Sequence, residues 1–126
     1  VYEIESFESI ILINDNGTLK KQALPNEAQV SPIKSSLVND FNNDGNKDIM
    51  TVGNHYGVEV ETTRYDAGFG NILLGDGQNN FVAISPKESG FYVPFDSRDI
   101  NQIKQNKDNL IIITNNNNKV SIFKHN

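Results

Sequence analysis

Short apolar runs alternate along the chain with turns rich in Asn, Asp and Gly. Ile, Val, Phe, Tyr and Thr fill the runs, and this composition is typical of strands that end in tight turns. No stretch sustains the apolar period of about 3.6 residues expected of a surface helix. The best helical candidate, residues 98–104, is short. The pattern therefore predicts an all-β fold.

The first half of the chain is predicted to form four antiparallel strands in a meander. Asn16-Gly17 suits the positive φ angles of a two-residue hairpin turn, and Pro25 ends the strand that follows it. The predicted strands cover residues 9–13, 19–24, 33–38 and 49–52. They form a first unit at about residues 8–54.

The same succession of strands and turns is repeated in the second half of the chain, at about residues 70–115. Ile11 aligns with Ile72, and Phe41 with Ile103, at an offset of about 60 residues. Repetition of a short-strand unit favours blades of a β-propeller. The predicted strands cover residues 70–74, 81–84, 99–103 and 110–114. Residues 55–69 then connect the two units, and residues 119–124 are a closing strand or the first strand of a further blade.

The run Asp40-Phe-Asn-Asn-Asp-Gly-Asn-Lys-Asp48 lies between two predicted strands of the first unit. Oxygen-bearing side chains recur at every second residue from Asp40 to Asn46, and Asp48 closes the run. Gly45 lies where the chain must turn sharply. Ca²⁺ takes about six to eight oxygen ligands in a flexible geometry, so this spacing predicts a calcium loop between two strands.

An EF-hand and an ordinary turn are the alternatives to a calcium loop flanked by strands. An EF-hand would need a Glu at the twelfth position, where this chain has Thr51, and helices on both sides. Asn, Asp and Gly also collect in ordinary turns. Three carboxylates held close together repel one another, and this repulsion favours a bound cation over an ordinary turn.

The Asp-Phe-Asn-x-Asp-Gly-x-x-Asp core of residues 40–48, with the strand–turn pieces at 13–17 and 74–81, resembles FG-GAP/VCBS-type repeats. Such repeats occur in integrin-like β-propellers and in bacterial surface and secreted proteins. The resemblance implies two four-stranded antiparallel propeller-type blades, with Ca²⁺ in the first. The implied ligands are the side-chain oxygens of Asp40, Asn42, Asp44 and Asp48 and the backbone carbonyl of Asn46. The second unit departs from the motif, with Lys104 at a ligand position, so no ligands are carried over there.

The connecting segment concentrates polar and aromatic side chains. As a loop on a rigid scaffold it would face a sugar or peptide ligand. As a strand it would point Val58 and Val60 inward, with Arg64 paired to a carboxylate. The candidate ligand-binding residues are Tyr56, Glu59, Glu61, Arg64, Tyr65 and Asp66.

Composition narrows the class of function. The net charge of −5 provides no basic surface, so nucleic acid and anionic membranes are poor candidate partners. No apolar run is long enough for membrane insertion. The chain has no Cys, and no His lies near a plausible Ser nucleophile. No catalytic residue is therefore assigned, and Glu59 with Glu61 is the weak candidate for a carboxylate pair.

Two hypotheses follow. The first is a non-catalytic, Ca²⁺-stabilised propeller module for protein or glycan recognition or scaffolding. It would be extracellular, on the cell surface or periplasmic, because extracellular modules bind calcium at about 10⁻⁴ to 10⁻³ M. The second is a polysaccharide-active enzyme, or part of one, with its site on residues 54–69.

Two blades are too few for a closed ring, which needs about four or more. We expect part of a larger propeller, an assembly of several copies, or an open two-blade unit with paired edges. Exposed edge strands invite pairing. Residues 9–13 and 120–123 are therefore expected to be covered by each other or by another chain.

Overall fold

The computed structural model of the protein describes residues 3–106 and 108–125. Most of the regular structure in this part of the chain is extended, and the all-β prediction is confirmed. Its strands are β1 (Ile10–Asp15), β2 (Thr18–Ala23), β3 (Ile33–Asn39), β4 (Asp48–Gly53), β5 (Asn71–Gly75), β6 (Phe81–Ile84), β7 (Ser97–Gln105), β8 (Asp108–Asn115) and β9 (Ser121–His125). A 3₁₀ turn, Asn26–Ala28, and a one-turn helix α1, Pro86–Ser89, complete it. Neither could cross a bilayer.

Residues 98–104, the weak helical candidate, lie within β7. Ile100 is buried, whereas its neighbours Asp99 and Asn101 are exposed. This alternation is the two-residue period of a strand with one face on a core. The cross-strand partner of Ile100 is Ile113, which is also buried.

Across residues 3–106 and 108–125 the strands form three antiparallel sheets, none of them closed. The first sheet contains β1 and β2, the central sheet runs in the order β3-β4-β5-β6, and the third runs β7-β8-β9. The predicted Asn-Gly hairpin joins β1 to β2, with φ angles of 51° at Asn16 and 91° at Gly17. All connections within each sheet join strands that are consecutive in the chain.

The strands are grouped differently from the predicted units. β4 pairs with β5 across the connecting segment, with Ile49 opposite Leu73 and Met50 opposite Ile72. The four-stranded sheet therefore spans residues 33–84 and not 8–54. The order of strands still repeats. Hairpin β1–β2 corresponds to β5–β6, and β3–β4 corresponds to β7–β8. The boundaries between sheets, however, fall after β2 and after β6.

The two segments expected to lie at exposed sheet edges, residues 9–13 and 120–123, pair with neighbouring strands of their own sheets. β9 is the third strand of the β7–β9 sheet, with Ile111 opposite Phe123. It is the edge strand of this sheet in the described part of the chain, and its pairing with β8 differs from the expected start of a further blade. β1 pairs with β2, and in the part of the chain that the structure describes β1 and β9 do not pair with each other.

The central sheet carries a core on each face. Alternate residues of β4 point to opposite sides, so Met50 and Val52 enter one core while Ile49 enters the other. The larger core lies against the third sheet and includes Ile111 and Ile113. The smaller core lies against the first sheet. The three sheets therefore stack in chain order. Each fully buried aliphatic side chain in the two cores contributes about 1.5–3 kcal/mol to the stability of the fold through its removal from water.

Candidate functional site

The predicted calcium loop joins β3 to β4, and Asp48 fixes both of its ends. The Asp48 side chain is fully buried. Its Oδ2 accepts a hydrogen bond from the Phe41 N–H at 2.8 Å, and its Oδ1 accepts one from the Gly75 N–H at 2.9 Å. Asp48 thus links the entry of the loop, its exit and the end of β5.

Inside the loop, the predicted ligand oxygens turn toward the loop's own backbone. Asp40 accepts hydrogen bonds from the N–H groups of Asp44 at 3.1 Å and Gly45 at 2.9 Å. Asn42 Oδ1 accepts from the same Asp44 N–H at 3.0 Å, and Asp44 Oδ1 accepts from the Asn46 N–H at 2.7 Å. The φ of 90° at Gly45 permits this tight path, because a side chain would be strained there.

Hydrogen bonding keeps the exposed carboxylate of this loop ionised. The Asn46 N–H, and then the Asn42 amide, hold the pKa of Asp44 below its usual range. Asp48 has a different environment, since it is buried and, within the described residues, no Lys, Arg or His nitrogen lies within 4.0 Å of it. Burial of a carboxylate without an opposite charge is costly.

The described residues do not gather three or more His, Cys, Asp or Glu side chains closely enough to hold a metal ion. The carboxylates of the loop are hydrogen-bonded to backbone N–H groups, which relieve part of the repulsion expected among them. The donor set nevertheless fits calcium by its chemistry, because it consists of carboxylate and amide oxygens. A carboxylate offers about four lone-pair positions, so these hydrogen bonds leave acceptor capacity for a cation.

The turn between β5 and β6 packs directly against the loop. A Cβ at Gly75 would lie 2.2 Å from the Lys47 carbonyl oxygen, and one at Gly77 would lie 2.5 Å from Asn46 Oδ1. At Gly75 the close atom is backbone, so only glycine allows this approach, and at Gly77 the φ of 75° favours glycine. The Gly75-Asp-Gly77 sequence predicts a turn, and its two glycines are the feature of the sequence that corresponds to this contact.

Residues 54–69 leave the opposite end of β4 and form a loop. Asn54 is buried with a φ of 70°, and its side chain bonds to the N–H and the carbonyl of Gly68 at 2.9 and 2.8 Å. Backbone hydrogen bonds of 2.8 and 3.1 Å join His55 and Tyr65. The alternative of a strand with inward-facing Val58 and Val60 is wrong, since Val60 is fully exposed.

The candidate ligand-binding residues project from this closed loop. Tyr56 is partly buried and donates its hydroxyl to the Pro94 carbonyl at 2.6 Å. Burial, and then the charges of Asp66 and Asp96, raise the pKa of Tyr56. Arg64 lies 5.4 Å from the centre of the Tyr56 ring, which is a cation–π contact instead of the expected carboxylate pair. The exposed members are Glu59, Glu61, Arg64, Tyr65 and Asp66.

Glu59 and Glu61 do not lie on a strand. A turn runs through them, closed by a hydrogen bond from the Thr62 N–H to the Glu59 carbonyl at 2.9 Å. Alternate residues of a strand share a face, whereas these two residues lie in a turn, so strand geometry does not pair their carboxylates.

Sequence reasoning missed Asp96, which anchors the base of this loop. Asp96 is fully buried and forms ion pairs with Lys34 at 2.6 Å and Arg98 at 3.1 Å. The Tyr56 N–H and the Asn116 side-chain amide also lie within 3.4 Å of Asp96 Oδ2. Burial opposes ionisation of Asp96, but the Lys34 and Tyr56 hydrogen bonds and the two cations outweigh it and hold the pKa of Asp96 below its usual range. Nothing around Asp96 in the sequence signals this role.

Two loop systems therefore lie at opposite ends of β4, one rich in hard oxygen donors and one with exposed aromatic and charged groups. Comparison of the chain with protein-family models, curated proteins and solved structures finds no match.

Proposed function

We propose that the protein is a non-catalytic, calcium-stabilised β-sheet module that recognises a protein or glycan outside the cytoplasm. The observation that carries the proposal is the loop between β3 and β4. It combines an alternating series of oxygen donors with Asp48, a buried carboxylate that has no cationic partner within 4.0 Å in the described part of the chain. A bound divalent cation would supply the missing charge.

The ligands we assign are the side-chain oxygens of Asp40, Asn42, Asp44 and Asp48 and the backbone carbonyl of Asn46. The cation would supply charge neutralisation and would cross-link the loop. Asp48 would transmit this effect, because its hydrogen bonds reach both Phe41 and Gly75. The proposed role is structural, since calcium would clamp β4 and the β5–β6 turn together.

The sheet arrangement supports assignment to the FG-GAP/VCBS type. The central sheet is a four-stranded antiparallel meander, and the loop in question joins its first two strands. Sheets stacked face to face in chain order are the arrangement expected of successive blades. In this proposal the central sheet is one blade, and β1–β2 and β7–β9 belong to its neighbours.

The recognition surface we propose is the loop of residues 54–69. Its base is held by the Asn54–Gly68 hydrogen bonds and by Asp96, so the loop is presented by a rigid scaffold. Tyr65 is 51% exposed, and its neighbours in the sequence, Arg64 and Asp66, are also exposed. An exposed aromatic ring with charges of both signs suits the apolar face and hydroxyl groups of a sugar, or a polar peptide.

Isothermal titration calorimetry with Ca²⁺ tests the metal assignment. We expect one site per chain with a dissociation constant of about 10⁻⁴ to 10⁻³ M. Asp44→Asn should weaken it strongly. Asp99→Asn is the matched control, because Asp99 is also an exposed carboxylate that accepts a hydrogen bond from a backbone N–H but lies in the third sheet. Equal affinity in the wild type and Asp44→Asn, or no binding heat in either, would refute the assignment.

Glycan and peptide arrays test the recognition surface. Binding should be lost in Tyr65→Ala and kept in Tyr92→Ala, a tyrosine of similar exposure, at 54%, outside the loop. Polysaccharide hydrolysis that disappears in Glu59→Gln or Glu61→Gln would instead favour the enzyme hypothesis.

A further inference from the structure

A cavity of about 220 Å³ lies between the central sheet and the third sheet, beside the larger core. Residues of both sheets line it, together with Phe41 and Asn42 of the loop that joins β3 to β4. The walls are mostly apolar and carry the aromatic rings of Phe41, Phe91 and Phe123. The rings of Phe91 and Phe123 pack against each other with their centres 5.0 Å apart. The cavity is therefore a small, largely aromatic space.

His125, at the end of β9, adds a polar group to this lining. Its Nε2 lies 2.9 Å from the Phe41 carbonyl oxygen, and its ring meets the Phe41 ring edge to face with 5.5 Å between the centres. A carbonyl oxygen can only accept a hydrogen bond, so Nε2 carries the proton and donates it. In a neutral imidazole the other nitrogen, Nδ1, is then a hydrogen-bond acceptor.

This acceptor is buried and unpaired. In the part of the chain that the structure describes, His125 Nδ1 is the one buried side-chain nitrogen or oxygen without a hydrogen-bond partner. Leaving a buried acceptor unsatisfied costs free energy. The remaining polar side chains of the lining already have partners: Asn42 pairs with Asp44, Ser89 with the Ser85 carbonyl, and Lys124 with Asp108.

A matching occupant donates one hydrogen bond and otherwise presents apolar surface. Water fits this description poorly, because a buried water forms about two to four hydrogen bonds. The cavity is smaller than pockets for drug-sized ligands, which span about 300–1,000 Å³. It is larger than the apolar cavity of about 150 Å³ that holds benzene in an engineered protein. Aromatic rings also pack favourably on one another in offset and edge-to-face arrangements. These properties select a single aromatic ring that carries one hydroxyl group.

We propose that this cavity binds a small phenol. The phenol hydroxyl donates a hydrogen bond to His125 Nδ1, and the ring lies among Phe41, Phe91 and Phe123. His125 then uses both of its nitrogens, one to hold the loop through the Phe41 carbonyl and the other to orient the ligand. The site goes beyond the recognition surface proposed above, because residues 54–69 contribute nothing to the lining of this cavity.

Fluorine NMR of the full chain with para-fluorophenol and with fluorobenzene tests the proposal, because the two compounds differ only in the hydroxyl group. Para-fluorophenol should bind with a dissociation constant of about 10⁻³ M, a modest affinity for a ligand of its size. Fluorobenzene should bind about 5-fold more weakly, which is the ratio that one net hydrogen bond supplies. His125→Phe keeps a ring but removes the acceptor, so the advantage of para-fluorophenol should disappear.

His55→Phe is the matched control, since it is the same substitution at a histidine outside the cavity, and it should keep the preference for para-fluorophenol. Ile84→Phe should fill the cavity and abolish binding of both compounds. Val82→Phe, at a position 67% exposed on the same strand, should bind both like the wild type. Circular dichroism melts of each variant confirm folding.

A cavity that water or the protein itself fills would bind neither compound, and this result would overturn the proposal. Equal affinities of the wild type for the two compounds would do the same. So would a preference that survives in His125→Phe, or binding that Ile84→Phe leaves unchanged, because either result would place the compounds elsewhere on the protein.

Discussion

Asp96→Asn tests whether the buried ion pairs hold the loop of residues 54–69 in place. The substitution keeps the shape of the side chain but removes its charge. Lys34, only 19% exposed, would lose its partner at 2.6 Å, and Arg98 would lose its partner at 3.1 Å. Breaking a buried ion pair costs about 3–5 kcal/mol, and the partial exposure of the two cations favours the lower end, about 3 kcal/mol.

For a domain of this size, a loss of about 3 kcal/mol lowers the melting temperature by about 12 °C. Thermal unfolding at neutral pH, followed by circular dichroism, measures it. Asp99→Asn is the matched control on the same strand, because Asp99 is exposed and hydrogen-bonds to Ser35 and Asn101. Its expected cost is about 0.5 kcal/mol or less. Equal losses in the two variants would refute the reasoning.

The effect of Asp96→Asn should depend on pH. The pKa of Asp96 is lower in the folded protein than its unfolded value of about 3.9, so its ionisation stabilises the fold above that pH. This contribution is lost as the pH falls through the folded pKa. The difference in unfolding free energy between wild type and variant should therefore be full at neutral pH and shrink below about pH 4. A difference that does not change with pH would contradict the ion-pair explanation.

Two further substitutions test the packing of the sheets. Ile111→Ala removes a side chain that is 1% exposed in the larger core and should cost about 2–5 kcal/mol in urea unfolding; a loss below about 1 kcal/mol would contradict the assigned core. Gly53→Ala places a Cβ 1.7 Å from the Pro32 carbonyl oxygen and should cost about 1–3 kcal/mol. Gly57→Ala, whose Cβ meets its nearest neighbour at 3.5 Å, should be close to neutral, and equal effects of the two alanines would contradict the close approach.

The sequence predicted the strands better than it predicted their pairing. Apolar runs bounded by Asn, Asp and Gly located β1, β4, β5 and β8 closely, because strand formation depends on local composition. The sheet boundary depends on which strands pair, and β4 pairs with β5 across residues 54–70. The apolar run of β4 was consistent with either grouping. The pairing of β4 with β5, visible only in the structure, distinguishes them.

In the candidate site, too, local features were predicted from the sequence and contacts between distant residues were not. The loop of residues 40–48 was recognisable because its oxygen-bearing residues alternate within nine positions of the sequence. The structure adds the hydrogen bonds of Asp48 to Phe41 and Gly75. Asp96 was not recognisable, since Lys34 and Tyr56 are far from it in the chain. The same limit applies to residues 54–69, where alternating Val and Glu suggested a strand. The Asn54 side chain closes that segment onto Gly68 instead.

The central claim, that the β3–β4 loop is a calcium clamp, is tested most directly by thermal unfolding with and without Ca²⁺ after treatment with chelator. At a calcium concentration of about 100 times the dissociation constant, binding stabilises the folded state by about 2.7 kcal/mol. For a domain of this size, that raises the melting temperature by about 11 °C. Asp44→Ala should abolish this rise, while Asp99→Ala, in the third sheet, should retain it. A wild-type melting temperature that calcium does not change, or an equal rise in Asp44→Ala, would contradict the claim.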